Sequence, residues 1–314
     1  MKATGDNPSA NRLPKGVTDQ AVADAVVRSG YPLQTVIARE LQSDFHVIEE
    51  WDYIDRETNE HCSLDMHAYR RIDLPRAAHF DPDLTLLLEC KRADLPYVFF
   101  ESAVPRKPYD FPWVFGFQRE HFDLYQVGTG HRELTPPNFL RLSDFPFVGA
   151  GPPICSTFTK AERKGKGLGL SGEVPFKGVI LPLISALHHW AQMRKSSGRA
   201  QQTYFPSLAL AVCVLDAAIV IARGTPELAD LELVPWVRVV RHESLKDRDW
   251  IRYRHYAVDF VHREYFRVFV KDNVMPFAKA FADRLAERES LLLSGKGQVA
   301  DWNNWTWQDL KPVG

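Results

Sequence analysis

The chain reads as an α/β protein, a mixed central sheet flanked by helices, and three stretches of its 314 residues predict this. Leu84-Thr85-Leu86-Leu87-Leu88 is a continuous apolar run ended by Glu89-Cys90-Lys91, which marks a buried central strand. Two β-rich segments precede it, Phe45 to Asp55 and Cys62 to Ile72, with the polar turn Arg56 to Glu60 between them. A helical stretch from about Asp19 to Ser43 comes first. The order is helix, strand, strand, strand.

Residues 1–16 are polar and read as a disordered tail with no signal peptide. Gly30-Tyr31-Pro32 breaks the helical stretch, and its second half carries Leu33, Val36, Ile37, Glu40 and Leu41 at the spacing of a buried face. Glu40 is thereby expected on the apolar side, where a carboxylate has no packing role. In the second strand Ser63, Asp65, His67 and Tyr69 share one face. Pro96 to Glu101 reads as a short strand. An insertion of about 104–172 follows, rich in proline and aromatics, and includes Tyr109, Phe111, Trp113, Phe117, Phe122 and Tyr125. A helix lies within Pro175 to Lys195, with Pro182 near its first turn. Strands are expected at Leu208 to Leu215, Ala218 to Ala222, Leu231 to Arg241 and near Arg254 to Val261, and Asp216 marks a turn. A closing helix after Pro276 puts Phe277, Phe281 and Leu285 on one face. The domain spans 17–289 and residues 290–314 form a Trp-rich tail, docked on the core or reserved for a partner.

Composition narrows the classes. With 45% hydrophobic and 12% aromatic residues the chain can bury a core, and a net charge of -1 excludes a wholly basic nucleic-acid coat while leaving room for a local basic groove. The four cysteines (Cys62, Cys90, Cys155, Cys213) show no paired spacing, which points to a soluble protein of a reducing, cytoplasmic compartment. Asp216 interrupts the longest apolar stretch, so no membrane span is expected.

The chemistry concentrates at Glu89-Cys90-Lys91. Strand alternation points Glu89 and Lys91 the same way at the end of a rigid element, where desolvated charge is costly unless paired or bound to a metal. Asp65 on the neighbouring strand and Glu40 on the packed helix are expected to converge there. Three carboxylates suit Mg²⁺ or Mn²⁺, and a lysine beside them suits orienting or deprotonating an attacking water. The competing reading is a strand-end ion pair worth about 0–1 kcal/mol, with Glu40 at a frayed helix edge.

Helical Glu40, then Asp65, then Glu89-Cys90-Lys91 after an apolar strand resembles the PD-(D/E)xK nuclease superfamily, the restriction-endonuclease-like fold. The motif covers residues 33–91. Beyond it the likeness is one of element order, and Leu64 stands where the family name has proline. The resemblance implies a restriction-endonuclease-like core and metal-dependent cleavage of nucleic acid. Asp65 and Glu89 would be metal ligands, Glu40 an accessory ligand, and Lys91 the group acting on the water. An endonuclease on DNA is expected, by analogy in restriction or anti-phage defence. The alternative is a catalytically inactive nucleic-acid-binding or scaffolding subunit. A homodimer or a partner subunit stays open.

Lys160, Arg163, Lys164 and Lys166, threaded with glycines, either grip phosphates or form a solvated loop. Gly167 to Gly172 matches G-x-G-x-x-G, but no clear strand precedes it and a dinucleotide site is rejected. The aromatics from Tyr109 to Tyr125, interleaved with Arg106, Lys107 and Arg119, favour packing over base stacking. His188-His189 reads as a structural pair and His67 as an ordinary strand histidine.

Overall fold

The computed structural model of the chain describes residues 2–74, 79–102, 111–126, 128–194, 203–224, 229–247 and 250–313. Helices α1 (Asp19–Arg28) and α2 (Tyr31–Leu41) lead into strands β1 (His46–Ile54), β2 (His61–Arg71) and β3 (Asp83–Arg92). The Thr18 hydroxyl caps α1 by accepting from the Ala21 N–H at 3.1 Å. Pro32 in the first turn of α2 starts a separate helix after the break at Gly30.

The later strands are β4 (Tyr97–Glu101), β5 (Trp113–Phe115), β6 (Phe122–Gln126), β7 (Gly130–Leu134), β8 (Ile154–Lys164), β9 (Gly167–Ser171) and β10 (Ser207–Asp216). They continue as β11 (Ile219–Gly224), β12 (Ala229–Leu233), β13 (Trp236–Asp247), β14 (Trp250–His262) and β15 (Lys296–Val299). Among the described residues twelve strands join one mixed sheet along the path β1-β2-β3-β10-β14-β13-β8-β4-β11-β12, with β5 on β10 and β9 on β8. Strands β1, β2 and β3 are antiparallel neighbours, whereas β10 runs parallel to both β3 and β14. Parallel neighbours need a long crossover. Helix α3 (Leu181–Met193) lies within it, with Pro182 in its first turn.

β3 sits between β2 and β10 and is packed over on both faces, which explains its unbroken apolar run: a strand covered on both faces needs no alternation. Leu84, Leu86, Leu87 and Leu88 have no exposed surface, each stabilising the fold by about 1.5–3 kcal/mol. One face of the sheet, with Met66, Leu86, Leu88 and Cys90, packs under α2 and under α4 (Met275–Glu287) through Phe277, Phe281 and Leu285. The opposite face, with Leu87, Ala211 and Cys213, packs under Leu183, Ile184 and Leu187 of α3.

Several expectations change in detail. The segment read as one strand from Leu231 to Arg241 is two, because Pro235 cannot donate to a ladder and β12 ends before it. The basic glycine-rich segment is a hairpin of β8 and β9, turned at Gly165 in the left-handed region (φ 59°). Phe111, Trp113, Phe117 and Phe122 are buried, as packing requires, while Arg106, Lys107 and Tyr109 lie outside the described residues. In the C-terminal tail β15 pairs with β6, Trp305 and Trp307 are buried, and the Trp307 indole donates to Glu287 Oε2 at 2.6 Å. His188 meets the Tyr256 hydroxyl at 2.6 Å. Among the described residues no helix is long and apolar enough to cross a membrane.

Candidate active site where β2 meets the end of β3

Strand alternation places the key groups. Cys90 packs into the cluster beneath α2, so Glu89 and Lys91 point to the opposite face, the one α3 covers. Met66 pairs with Leu88, and the antiparallel register carried one step further sets Asp65 beside Glu89. The Asp65 carboxylate turns to this point because its Oδ2 accepts from the Cys90 N–H at 2.6 Å. Lys91 Nζ donates to Glu89 Oε2. Glu89 is only 4% exposed, and Lys91 is half-buried.

Electrostatics make this cluster anomalous. Burial pushes the Glu89 carboxyl up to about 7, with Asp65 and Glu50 adding to the rise and Lys91 opposing it. Asp65 is also raised, first by burial and further by Glu50, against the pull of the Cys90 amide and Lys91. Burial acts against the Lys91 charge, yet Glu89 and Asp65 outweigh it and raise its pKa. Lys91 is therefore an ammonium at neutral pH. As an ammonium it is equipped to donate and to orient.

Glu40 is not brought to this point. The helix stripe placed it on the buried side, but the structure leaves it exposed, and α2 buries Leu33, Gln34, Ile37, Ala38 and Leu41. The reason is the rotation of the helix: its sheet-facing stripe runs through Gln34 and Ala38 and not through Val36 and Glu40, which leaves Val36 half-buried and Glu40 in solvent. Two residues outside the motif reach the cluster. Gln34, 5% exposed, donates through Nε2 to the Asp65 carbonyl and to Glu50 Oε1, each at 3.0 Å. Glu50 lies opposite Asp65 in the β1–β2 register, in a left-handed backbone (φ 49°) that a glutamate rarely adopts. A glutamine buried on an apolar helix face and the Glu49-Glu50 doublet inside a β-rich run were the available sequence signals.

Beyond Lys91 the chain forms a basic cleft of about 440 Å³ lined by Arg28, Arg92, Lys160 and Arg163, with Asp94 and Glu162 also present. Two of the four basic residues singled out in the sequence thus line a cleft that also holds the neighbour of Lys91. Lys164 and Lys166 are exposed near the tip of the β8–β9 hairpin.

Asp65 and Glu89 offer the hard oxygen donors that Mg²⁺ or Mn²⁺ takes, and Glu50 contributes further negative potential. Their raised proton affinity comes first from burial, with neighbouring carboxylates adding to it, and a divalent cation between them would offset it. Among the described residues no set of three or more His, Cys, Asp or Glu is gathered as a metal-ligating group. No family model, curated protein or solved structure matches this chain.

Proposed function

We propose that the chain is a divalent-metal-dependent nuclease on a restriction-endonuclease-like core, hydrolysing phosphodiester bonds with DNA as the expected substrate. The observation that carries this reading is the buried cluster of Asp65, Glu89 and Lys91, in which carboxylates hold surplus negative charge beside an ammonium. The order α2-β1-β2-β3, followed by α3 and by β10 parallel to β3, supports the assignment of the core. A structural pair needs no second carboxylate beside it.

Asp65 and Glu89 would hold Mg²⁺ or Mn²⁺, which when bound lowers the pKa of a coordinated water and stabilises charge on a phosphoryl oxygen. The ammonium of Lys91 donates to the attacking oxygen or to the phosphate, fixing the line of approach. Gln34 holds the Asp65 backbone and Glu50, so the β2 carboxylate keeps its position. Arg28, Arg92, Lys160 and Arg163 attract the phosphate backbone and set its register without reading sequence. A second reading, a binder that does not cleave, is favoured by the direct Lys91–Glu89 contact, which occupies both groups.

One experiment separates the two. Supercoiled, linear and single-stranded DNA, and RNA, are incubated with Mg²⁺ or Mn²⁺ and wild type, Lys91→Ala or Asp65→Ala. Metal-dependent cleavage that falls by about 10²-fold or more in both folded variants supports the nuclease. Binding without cleavage supports the second reading, and cleavage that survives both substitutions removes this site from the chemistry.

A further inference from the structure

A second cavity, of about 520 Å³, lies beneath α3 and toward the start of β3, away from Lys91. Trp51 of β1, His67 and Tyr69 of β2, Trp190 and Arg194 at the end of α3, and Phe205 line it. Its size is that of a small-molecule site. His67 is 1% exposed, and neither of its ring nitrogens has a hydrogen-bond partner. Aromatic rings crowd around it instead, with centroids at 4.4 Å for Trp190, 4.8 Å for Trp51 and 5.4 Å for Tyr69. Arg194 Nε is likewise buried and without a partner. Buried polar atoms are nearly always hydrogen-bonded, so unpaired ones on two residues that line a cavity of this size call for a ligand.

The chemistry of the walls limits what that ligand is. A neutral imidazole offers one donor and one acceptor, and Arg194 Nε–H adds a donor. Burial holds His67 neutral, its pKa pushed down to about 4. The formal charges at the cavity cancel, since Arg194 pairs with Asp83 and Arg71 pairs with Asp81 at 3.0 Å. No charge is left over for a phosphate, a free carboxylate or an ammonium. Aromatic walls favour a flat ring.

We propose that this cavity binds one nucleobase-type ring, a neutral planar heterocycle with donor and acceptor atoms on its edge, held by His67 and Arg194 against the aromatic wall of Trp51, Tyr69 and Trp190. The ring is supplied either by a free nucleobase or nucleoside or by a base of a nucleic-acid strand. The site uses none of Asp65, Glu89 or Lys91, and stands or falls separately from the nuclease reading.

Tryptophan fluorescence and calorimetry with the full chain test it. The probes are the common nucleobases, their nucleosides and 5′-monophosphates, and a short single-stranded oligonucleotide with or without one abasic position. The expected result is binding of at least one base or nucleoside below about 1 mM, with the monophosphate weaker than its nucleoside. His67→Phe keeps the ring packing and removes both nitrogens, so it should weaken binding about tenfold or more without lowering the melting temperature. Trp190→Leu should weaken it as well. An oligonucleotide that binds, and loses affinity at the abasic position in wild type but not in His67→Phe, assigns the ring to a nucleic-acid base. No binding of any ring up to about 1 mM together with no abasic effect overturns the proposal. So does binding that His67→Phe leaves unchanged.

Discussion

Two acid–base pairs with buried carboxylates lie in the same sheet and are built on opposite plans. Arg238 of β13 and Asp259 of β14 are 1% and 0% exposed. Arg238 Nε and Nη2 reach the two carboxylate oxygens at 2.8 and 3.1 Å, its Nη1 donates to the Phe147 carbonyl at 2.9 Å, and the Trp236 indole donates to Asp259 at 2.9 Å. The guanidinium also lies over the rings of Phe111 and Phe147, at 4.1 and 4.7 Å. Charge and hydrogen bonds close on themselves. At the end of β3, Lys91 meets Glu89 through one contact, while Asp65 stands beside them and Glu50 adds to the negative field. The first pair has nothing left to offer a ligand. The second has negative charge to spare, and that surplus separates a site from a structural bridge.

The contrast can be broken by substitution. Removing Arg238 strands a fully buried carboxylate, and Arg238→Ala should cost about 3–5 kcal/mol in denaturant unfolding. Lys91→Ala should cost about 1 kcal/mol or less at neutral pH, because Glu89, already at about 7, takes up a proton instead. Equal costs would erase the distinction.

Acid titration sharpens it. Glu89 has its folded pKa raised from 4.5 to about 7, so its contribution is fully present below about 4.5 and is lost as pH rises through 7. His67 has its folded pKa lowered from 6.5 to about 4, so its contribution is present above about 6.5 and is lost as pH falls through 4. Each effect reaches up to about 3 kcal/mol, and between about pH 4.5 and 6.5 the two slopes oppose one another. Relative to wild type, Glu89→Gln should gain stability toward pH 8, and His67→Phe should gain it toward pH 4. Parallel curves for wild type and both variants would contradict the burial of these groups.

Smaller effects follow from the supporting residues. Gln34→Ala removes two hydrogen bonds that hold the Asp65 backbone and Glu50, and should cost about 1–2 kcal/mol in thermal unfolding. Lys279→Ala breaks an exposed bridge to Asp283 on α4 and should shift stability by only about 0.3–0.5 kcal/mol.

The helix and the first three strands were legible because each carries a periodic or continuous apolar signal, and every boundary of β1 to β3 lies within a residue or so of its sequence signal. The facing of Glu89 and Lys91 followed from alternation alone. Glu40 did not, since it lies at the edge of the apolar stripe, and helical spacing alone does not say whether the sheet takes the Val36–Glu40 edge or the Gln34–Ala38 edge. Gln34 and Glu50 escaped for a related reason: a glutamine on an apolar stripe and a glutamate in a strand look ordinary until the register sets them beside Asp65. The cavity around His67 combines residues from β1, β2 and α3 that only the crossover brings together.

The most direct test of the carboxylate site is Mn²⁺ binding measured by calorimetry on wild type and on Asp65→Asn, Glu89→Gln and Glu40→Ala. The account predicts one bound ion in wild type, an affinity reduced about tenfold or more by each of the first two substitutions, and no change for Glu40→Ala. Wild type that binds no Mn²⁺, or binding that survives both Asp65→Asn and Glu89→Gln, would contradict it.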